Sequence, residues 1–127
     1  MIAIDTSAMM AIVLNEPEAD ACAAILERED RLLISAGTVA ELLIVAARRN
    51  VAEEVERLID GLGFEIIPVT SASARSVAGV YGVWGKGVHT AALNFGDCFA
   101  YAVAKEYGCP LLYVGDDFTR TDIASAR

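Results

Sequence analysis

Apolar positions along this chain keep two rhythms, and the switches between them outline a fold. Four short stretches, Ile2–Asp5, Arg31–Ser35, Phe64–Val69 and Leu111–Val114, are apolar almost throughout. Runs of this length, rich in Ile, Leu and Val, read as strands covered on both faces, the pattern of a parallel sheet. Elsewhere the apolar residues return at helical spacing. Val55, Leu58, Ile59 and Leu62 form one face of Val51–Leu62, while Glu53, Glu54, Glu56 and Arg57 occupy the rest, which predicts an amphipathic surface helix. The same period predicts helices from Thr6-Ser7 through Leu14, over Glu18–Glu29, from Gly37-Thr38 to Arg49, over Ser71–Trp84 and from Asn94 to Tyr107.

Local punctuation sharpens these boundaries. Pro17 suits the start of the second helix, and Gly108-Cys109-Pro110 stops the last one. A hydroxyl of Thr6-Ser7 is available to cap the first helix, and Thr38 with Glu41 has the spacing of a capping box for the third. The helix after Ser71 is expected to loosen through Gly79, Gly82, Gly85 and Gly87 into a loop. Those glycines make no phosphate cradle, because no strand precedes them and no G-K-[ST] follows. Strands alternating with helices predict an α/β fold: one domain over residues 1–127, with a mostly parallel central sheet of about four to five strands flanked by helices.

Acidic residues stand where those elements meet. Asp5 closes the first strand, Glu41 lies in the first turn of a helix, Asp97 begins another, and Asp116 and Asp117 follow the last strand. Carboxylates far apart in sequence but at the carboxyl edge of a parallel sheet converge in the crevice where open α/β folds bind ligands. Their mutual repulsion then calls for a cation. Hard oxygen donors favour Mg²⁺ or Mn²⁺, and such ions suit phosphodiester hydrolysis by activating water and stabilising the leaving oxygen. Each acid also has a plainer reading: a capping box explains Glu41, and the helix dipole explains Asp97.

Composition narrows the classes. At 127 residues and 55% hydrophobic content the chain supports one well-filled core. A mean hydropathy of +0.45 is high for a soluble monomer, and no apolar run is long enough to span a bilayer, so an interface with a dimer mate or a partner helix is expected. The chain opens directly on a strand with no signal-peptide pattern, and Cys22, Cys98 and Cys109 form no C-x-x-C pair. A cytoplasmic location with reduced, packed thiols is therefore expected. The net charge of −8 argues against a general nucleic-acid binder unless local cations or a metal offset it. Arg48, Arg49, Arg75, Lys86 and Arg120 are candidate phosphate contacts, with solvated surface charge as the alternative for each. His89, the only histidine, excludes a multi-histidine zinc site.

Two segments carry more than spacing. Asp5-Thr6-Ser7-Ala8 follows the first strand, and His89 through Leu93-Asn94-Phe95-Gly96-Asp97-Cys98-Phe99-Ala100-Tyr101-Ala102 is followed by Gly115-Asp116-Asp117-Phe118. Together they resemble the VapC-type toxins of the PIN-domain ribonuclease family, over essentially the whole chain. That resemblance implies the toxin of a type II toxin–antitoxin system, a Mg²⁺- or Mn²⁺-dependent endoribonuclease whose cognate antitoxin wraps it and blocks its site. Asp5, Glu41 and Asp97 fall on the first three acidic positions of the family. Asp117, directly before Phe118, is preferred for the fourth over Asp116. Thr6 or Ser7 matches the hydroxyl beside the first aspartate, where it would hydrogen-bond a water at the site or an acidic neighbour.

Two rivals come from other classes. A phosphoacceptor receiver domain fits the length and acidity, but Pro68-Val69-Thr70 follows the third strand where it needs an aspartate, and no lysine follows Lys105. A non-catalytic module that only binds RNA or an antitoxin is disfavoured because every acidic position is filled. Neither the RNA nor its cleavage site can be read from these motifs.

Overall fold

The computed structural model describes all residues, Met1–Arg127. Its elements run β1 (Ile2–Ile4), α1 (Thr6–Val13), α2 (Ala19–Arg28), β2 (Leu32–Ser35), α3 (Ala36–Arg48), α4 (Ala52–Leu62), β3 (Glu65–Ile67), α5 (Ser71–Trp84), α6 (Phe95–Tyr107) and β4 (Leu111–Leu112). The four strands form one sheet in the order β3-β2-β1-β4 with every pairing parallel. The chain tail adds a single parallel bridge, Leu111 to Ser125, beside the β4 edge. No helix is long and apolar enough to cross a membrane.

Alternation along the strands builds two cores. Ile2, Ile4, Leu32, Ile34 and Leu112 face a cluster with Met9, Ile25, Leu42, Val55 and Ile59, which belong to α1 through α4. Ala3, Leu33 and Leu111 face the opposite cluster, where α5 and α6 contribute Val77, Ala100, Val103 and Ala104. Both strand faces are thus buried, which is why the strands read as unbroken apolar runs rather than as alternating ones. The chain winds from β1 to β2 to β3 over one face and returns to β4 over the other. The winding therefore reverses at β1, and the crevice at such a reversal opens between the carboxyl ends of β1 and β4.

Three local expectations are corrected. The cap of α3 is Ser35, whose Oγ accepts from the Gly37 N–H at 3.1 Å. Thr38 is not a cap: the helix starts two residues earlier, and Thr38 is fully buried with its Oγ1 unpartnered. Likewise α1 is capped not by a hydroxyl but by Asp5, whose side chain accepts from the Ser7 N–H. Finally, α5 does not loosen at Gly79 or Gly82; it is helical through Trp84, and the loop begins at Gly85. Each interior glycine costs about 1 kcal/mol of helix propensity, and packing of Val77, Val80 and Trp84 against the α6 cluster outweighs it. β3 and β4 are also shorter than the apolar runs that announced them, since a run marks burial and pairing ends sooner.

Candidate active site

Helices α1, α3 and α6 all begin at the carboxyl edge of the sheet, and their caps bring the acids there. Asp5 ends β1 and caps α1: its Oδ2 accepts from the Ser7 N–H at 3.1 Å and the Ser7 hydroxyl at 2.6 Å. The Ser7 hydroxyl in turn accepts from the Val114 N–H at 3.0 Å, so one small side chain ties Asp5 to the end of β4. Glu41 stands one turn into α3, where its Oε1 accepts from the Thr6 hydroxyl at 2.6 Å. Both hydroxyls beside the first aspartate thus donate to acidic neighbours. Asp97 is the third residue of α6 and shares a capping box with Asn94, accepting from the Asn94 N–H at 3.0 Å while its own N–H donates to Asn94 Oδ1 at 2.8 Å.

Asp5 and Asp97 are 4% and 6% exposed, and such burial disfavours charge. It pushes Asp5 up to about 6, against the hydrogen bonds from Ser7, with the charge of Glu41 adding to the rise. It pushes Asp97 up to about 7, against the Asn94 N–H, with Asp5, Asp117 and Glu41 each adding repulsion. The four acids therefore share one electrostatic neighbourhood. Asp117 acts on Asp97 and Asp116 is not among the charges that do. Phe118, 1% exposed and packed on Tyr113, anchors the loop that carries Asp117.

The candidate cations divide by the direction of their helices. Arg48 and Arg49 end α3, which starts at the acids and carries them to the opposite edge. Arg75 is held by Ser71 on its own helix. Arg120 is better placed: with Asp116, Asp117, Thr90, Ala91 and Thr119 it lines a cavity of about 250 Å³, and it donates to the Thr90 carbonyl at 3.3 Å. His89 stands in the same loop, its Nδ1 accepting from the Ala91 N–H at 2.9 Å and its ring edge-on to Trp84. Cys98, though next to Asp97, is buried with its thiol pushed up to about 11, so it packs rather than attacks.

The donor set fits a hard divalent cation. Asp5 Oδ1 is buried without a hydrogen-bond partner, a costly arrangement for a carboxylate oxygen unless something positive meets it. All the candidate donors are oxygens, as Mg²⁺ and Mn²⁺ prefer. As the side chains stand, no three acids, histidines or cysteines close around an ion-sized space. Uncompensated like charges hold each other apart in this way.

Two contributors escaped the sequence reading. Asn94 orients Asp97, and its spacing to Asp97 could have announced the capping box. Gly96 gives Glu41 its room: a Cβ built there would overlap the Glu41 carboxylate. Only that mobile end would have to shift, so Gly96→Ala is expected to change melting temperature little and to lose at least about ten-fold in cleavage rate by displacing Glu41 from Thr6. Paired melting curves and initial rates check this, and full activity in Gly96→Ala would mean that the position of Glu41 is immaterial.

Comparisons with known proteins match this geometry. The PIN domain family matches residues 2–124. The chain is 41% identical over 127 residues to "Ribonuclease VapC42" of Mycobacterium tuberculosis, covering 97% of each. It is 44% identical over 124 residues to "Ribonuclease VapC36" of the same organism, covering 94% of this chain and 89% of that one. The crystal structure of M. tuberculosis VapC20, described as a sarcin-ricin loop cleaving toxin, has the same fold at TM-score 0.79 and 15% identity, over 100% of this chain and 99% of that one. A toxin–antitoxin complex from Klebsiella pneumoniae also shares the fold, at TM-score 0.74 and 16% identity over 100% of this chain and 98% of that one. With an acid-lined crevice at the switch point of a PIN fold and relatives of this similarity over nearly its whole length, the chain belongs to the PIN-domain family and, within it, to the VapC ribonuclease toxins.

Proposed function

We propose that this toxin is a Mg²⁺- or Mn²⁺-dependent endoribonuclease whose cleavage site is the crevice between Asp5, Glu41, Asp97 and Asp117. The observation that carries this reading is the unpartnered, buried Asp5 Oδ1 facing a neighbourhood of carboxylates. Asp5, Glu41, Asp97 and Asp117 would hold the ion, which when bound would activate water and stabilise the leaving oxygen of a phosphodiester. Around it Ser7 fixes one Asp5 oxygen and leaves the other free, and Asn94 fixes the rotamer of Asp97. Thr6 orients Glu41. Asp116 sits on the solvent side of the same loop, and Arg120 is the cation best placed to meet an RNA phosphate in the adjoining cavity.

Membership among VapC ribonucleases supports a cognate antitoxin as partner, and the surface supports a homodimer. Ala40, Ile44 and Ala47 form an exposed apolar stripe on α3, with Ile44 57% exposed. An amphipathic antitoxin segment on α1 and α3 would place an Arg or Lys near the acids. Three free, buried thiols fit a reducing cytoplasm.

The test is incubation of purified protein with total RNA, with Mg²⁺, Mn²⁺ or chelator, and mapping of the new RNA ends. Discrete ends that need either metal are expected. RNA bound but left uncut with both metals would replace the enzyme by a binding module.

A further inference from the structure

Every residue of Leu93-Asn94-Phe95-Gly96-Asp97 has a structural duty except one. Leu93 is fully buried, Asn94 caps α6, Gly96 makes room for Glu41, and Asp97 lines the crevice. Phe95 does none of this. It is 71% exposed, more than any other large hydrophobic side chain that the fold leaves in solvent. An aromatic ring held in water beside a reaction centre calls for an occupant.

We infer that Phe95 is the platform on which an unpaired RNA base, next to the phosphate to be cleaved, stacks. The inference rests on the ribonuclease reading and adds the contact by which substrate is held. Three observations carry it. Phe95 is the first residue of α6, two before Asp97, so a base on its ring lies within about one nucleotide of the acids. The ring is braced: it meets Phe99 at 5.0 Å and 88°, and Phe99 rests on Gly37, where a Cβ would collide with it. A braced ring loses little conformational freedom when a base covers it.

The third observation is the charge. With a net charge of −8, and Arg120 and Lys86 the cations of the loops beside the acids, this protein has little long-range attraction for RNA. Its affinity must come from contacts that charge does not govern, and base–aromatic stacking is one, open to any base because every base has a π-face. Stacked duplex bases are closed to such a ring, so the substrate class is RNA with an unpaired nucleotide at the cut.

The experiment uses a short single-stranded RNA carrying 2-aminopurine, with chelator for binding and with Mg²⁺ for cleavage. Four proteins are compared: wild type, Phe95→Leu, Phe95→Trp and Asp97→Asn. Leucine keeps an apolar side chain of similar reach and removes the π-face, whereas tryptophan enlarges it. Phe95→Leu is expected to weaken binding about ten-fold, to abolish 2-aminopurine quenching and to raise KM more than it lowers kcat. The slope of log Kd against log salt should stay as in wild type, since no charge is removed. Phe95→Trp should bind as wild type or tighter, and Asp97→Asn should quench without cutting. Equal affinity and quenching in wild type and Phe95→Leu would overturn the inference even if the ribonuclease reading stands. So would a shift of Phe95→Leu toward monomer in sedimentation with RNA affinity per protomer unchanged, which would assign the ring to a second copy. Failure of wild type to cut any RNA defeats the ribonuclease reading separately, because quenching is read without turnover.

Discussion

Asp97→Asn is expected to fold as wild type does, to lose at least about two orders of magnitude in RNA cleavage and to hold RNA as tightly as before or tighter. Folding should survive because asparagine keeps the acceptor that meets the Asn94 N–H, so the α6 capping box can close. Cleavage should not, because an amide oxygen is a weaker ligand for a hard cation and nothing else can activate water. His89 is engaged with the Ala91 N–H and Trp84, and Cys98 is buried and protonated. Binding can improve because one negative charge leaves the neighbourhood of the phosphate. Asp5→Asn should behave alike, since asparagine also caps α1. Calorimetry should find Mn²⁺ affinity much reduced in both. Unchanged affinity in both folded variants would move the metal away from this crevice.

Much of this arrangement was legible in the chain because burial leaves a clear mark on sequence. Strands covered on both faces could only be apolar runs, and the positions of Asp5 and Asp117 followed from where those runs stop. The strand ends were less legible: Tyr113 and Val114 are apolar because they pack, yet the ladder stops at Leu112. Caps failed for a different reason. Ser35 and Thr38 are both hydroxyl residues near one helix start, and local pattern favoured Thr38 because Glu41 completes a capping box with it. In the fold Glu41 turns to Thr6, a residue 35 positions away, and no local rule reports such a partner. The glycines of α5 misled in the same way, since the packing that keeps the helix straight lies on α6. Gly96 was hidden because the close approach it permits exists only once α3 and α6 meet.

Without metal, the protein is expected to lose stability as pH rises from about 5.5 to 8, the reverse of ordinary acid denaturation. Asp5 and Asp97 hold their protons up to about 6 and about 7 in the folded protein, against a reference value of 3.8 for an aspartate free of the fold. Between those values the folded state binds more protons than the unfolded one, so the derivative of unfolding free energy with pH is negative. The stabilisation is complete below about 3.8 and is lost as pH climbs through 6 and 7. Every ten-fold gain in proton affinity on folding is worth about 1.4 kcal/mol, and the acids repel one another, so the pair sets a total of a few kcal/mol rather than either residue alone. A fall in Tm of about 5–10 °C follows for a domain of this size. Other carboxyls do not blur this window. Hydrogen bonds from the amino terminus, Arg31 and Tyr101 hold Asp30, Glu65 and Asp122 below their usual range, so they finish titrating at lower pH. Mn²⁺ should invert the trend: a cation competes with two protons at pH 5.5 and meets two carboxylates at pH 8, where saturation at a hundred times Kd adds about 2.7 kcal/mol. Asp97→Asn, with one of the two titrating groups removed, should flatten both curves. A Tm in chelator that rises steadily toward pH 8, or a pH slope that Asp97→Asn leaves untouched, would show that the buried pair is not what this fold holds against its own repulsion.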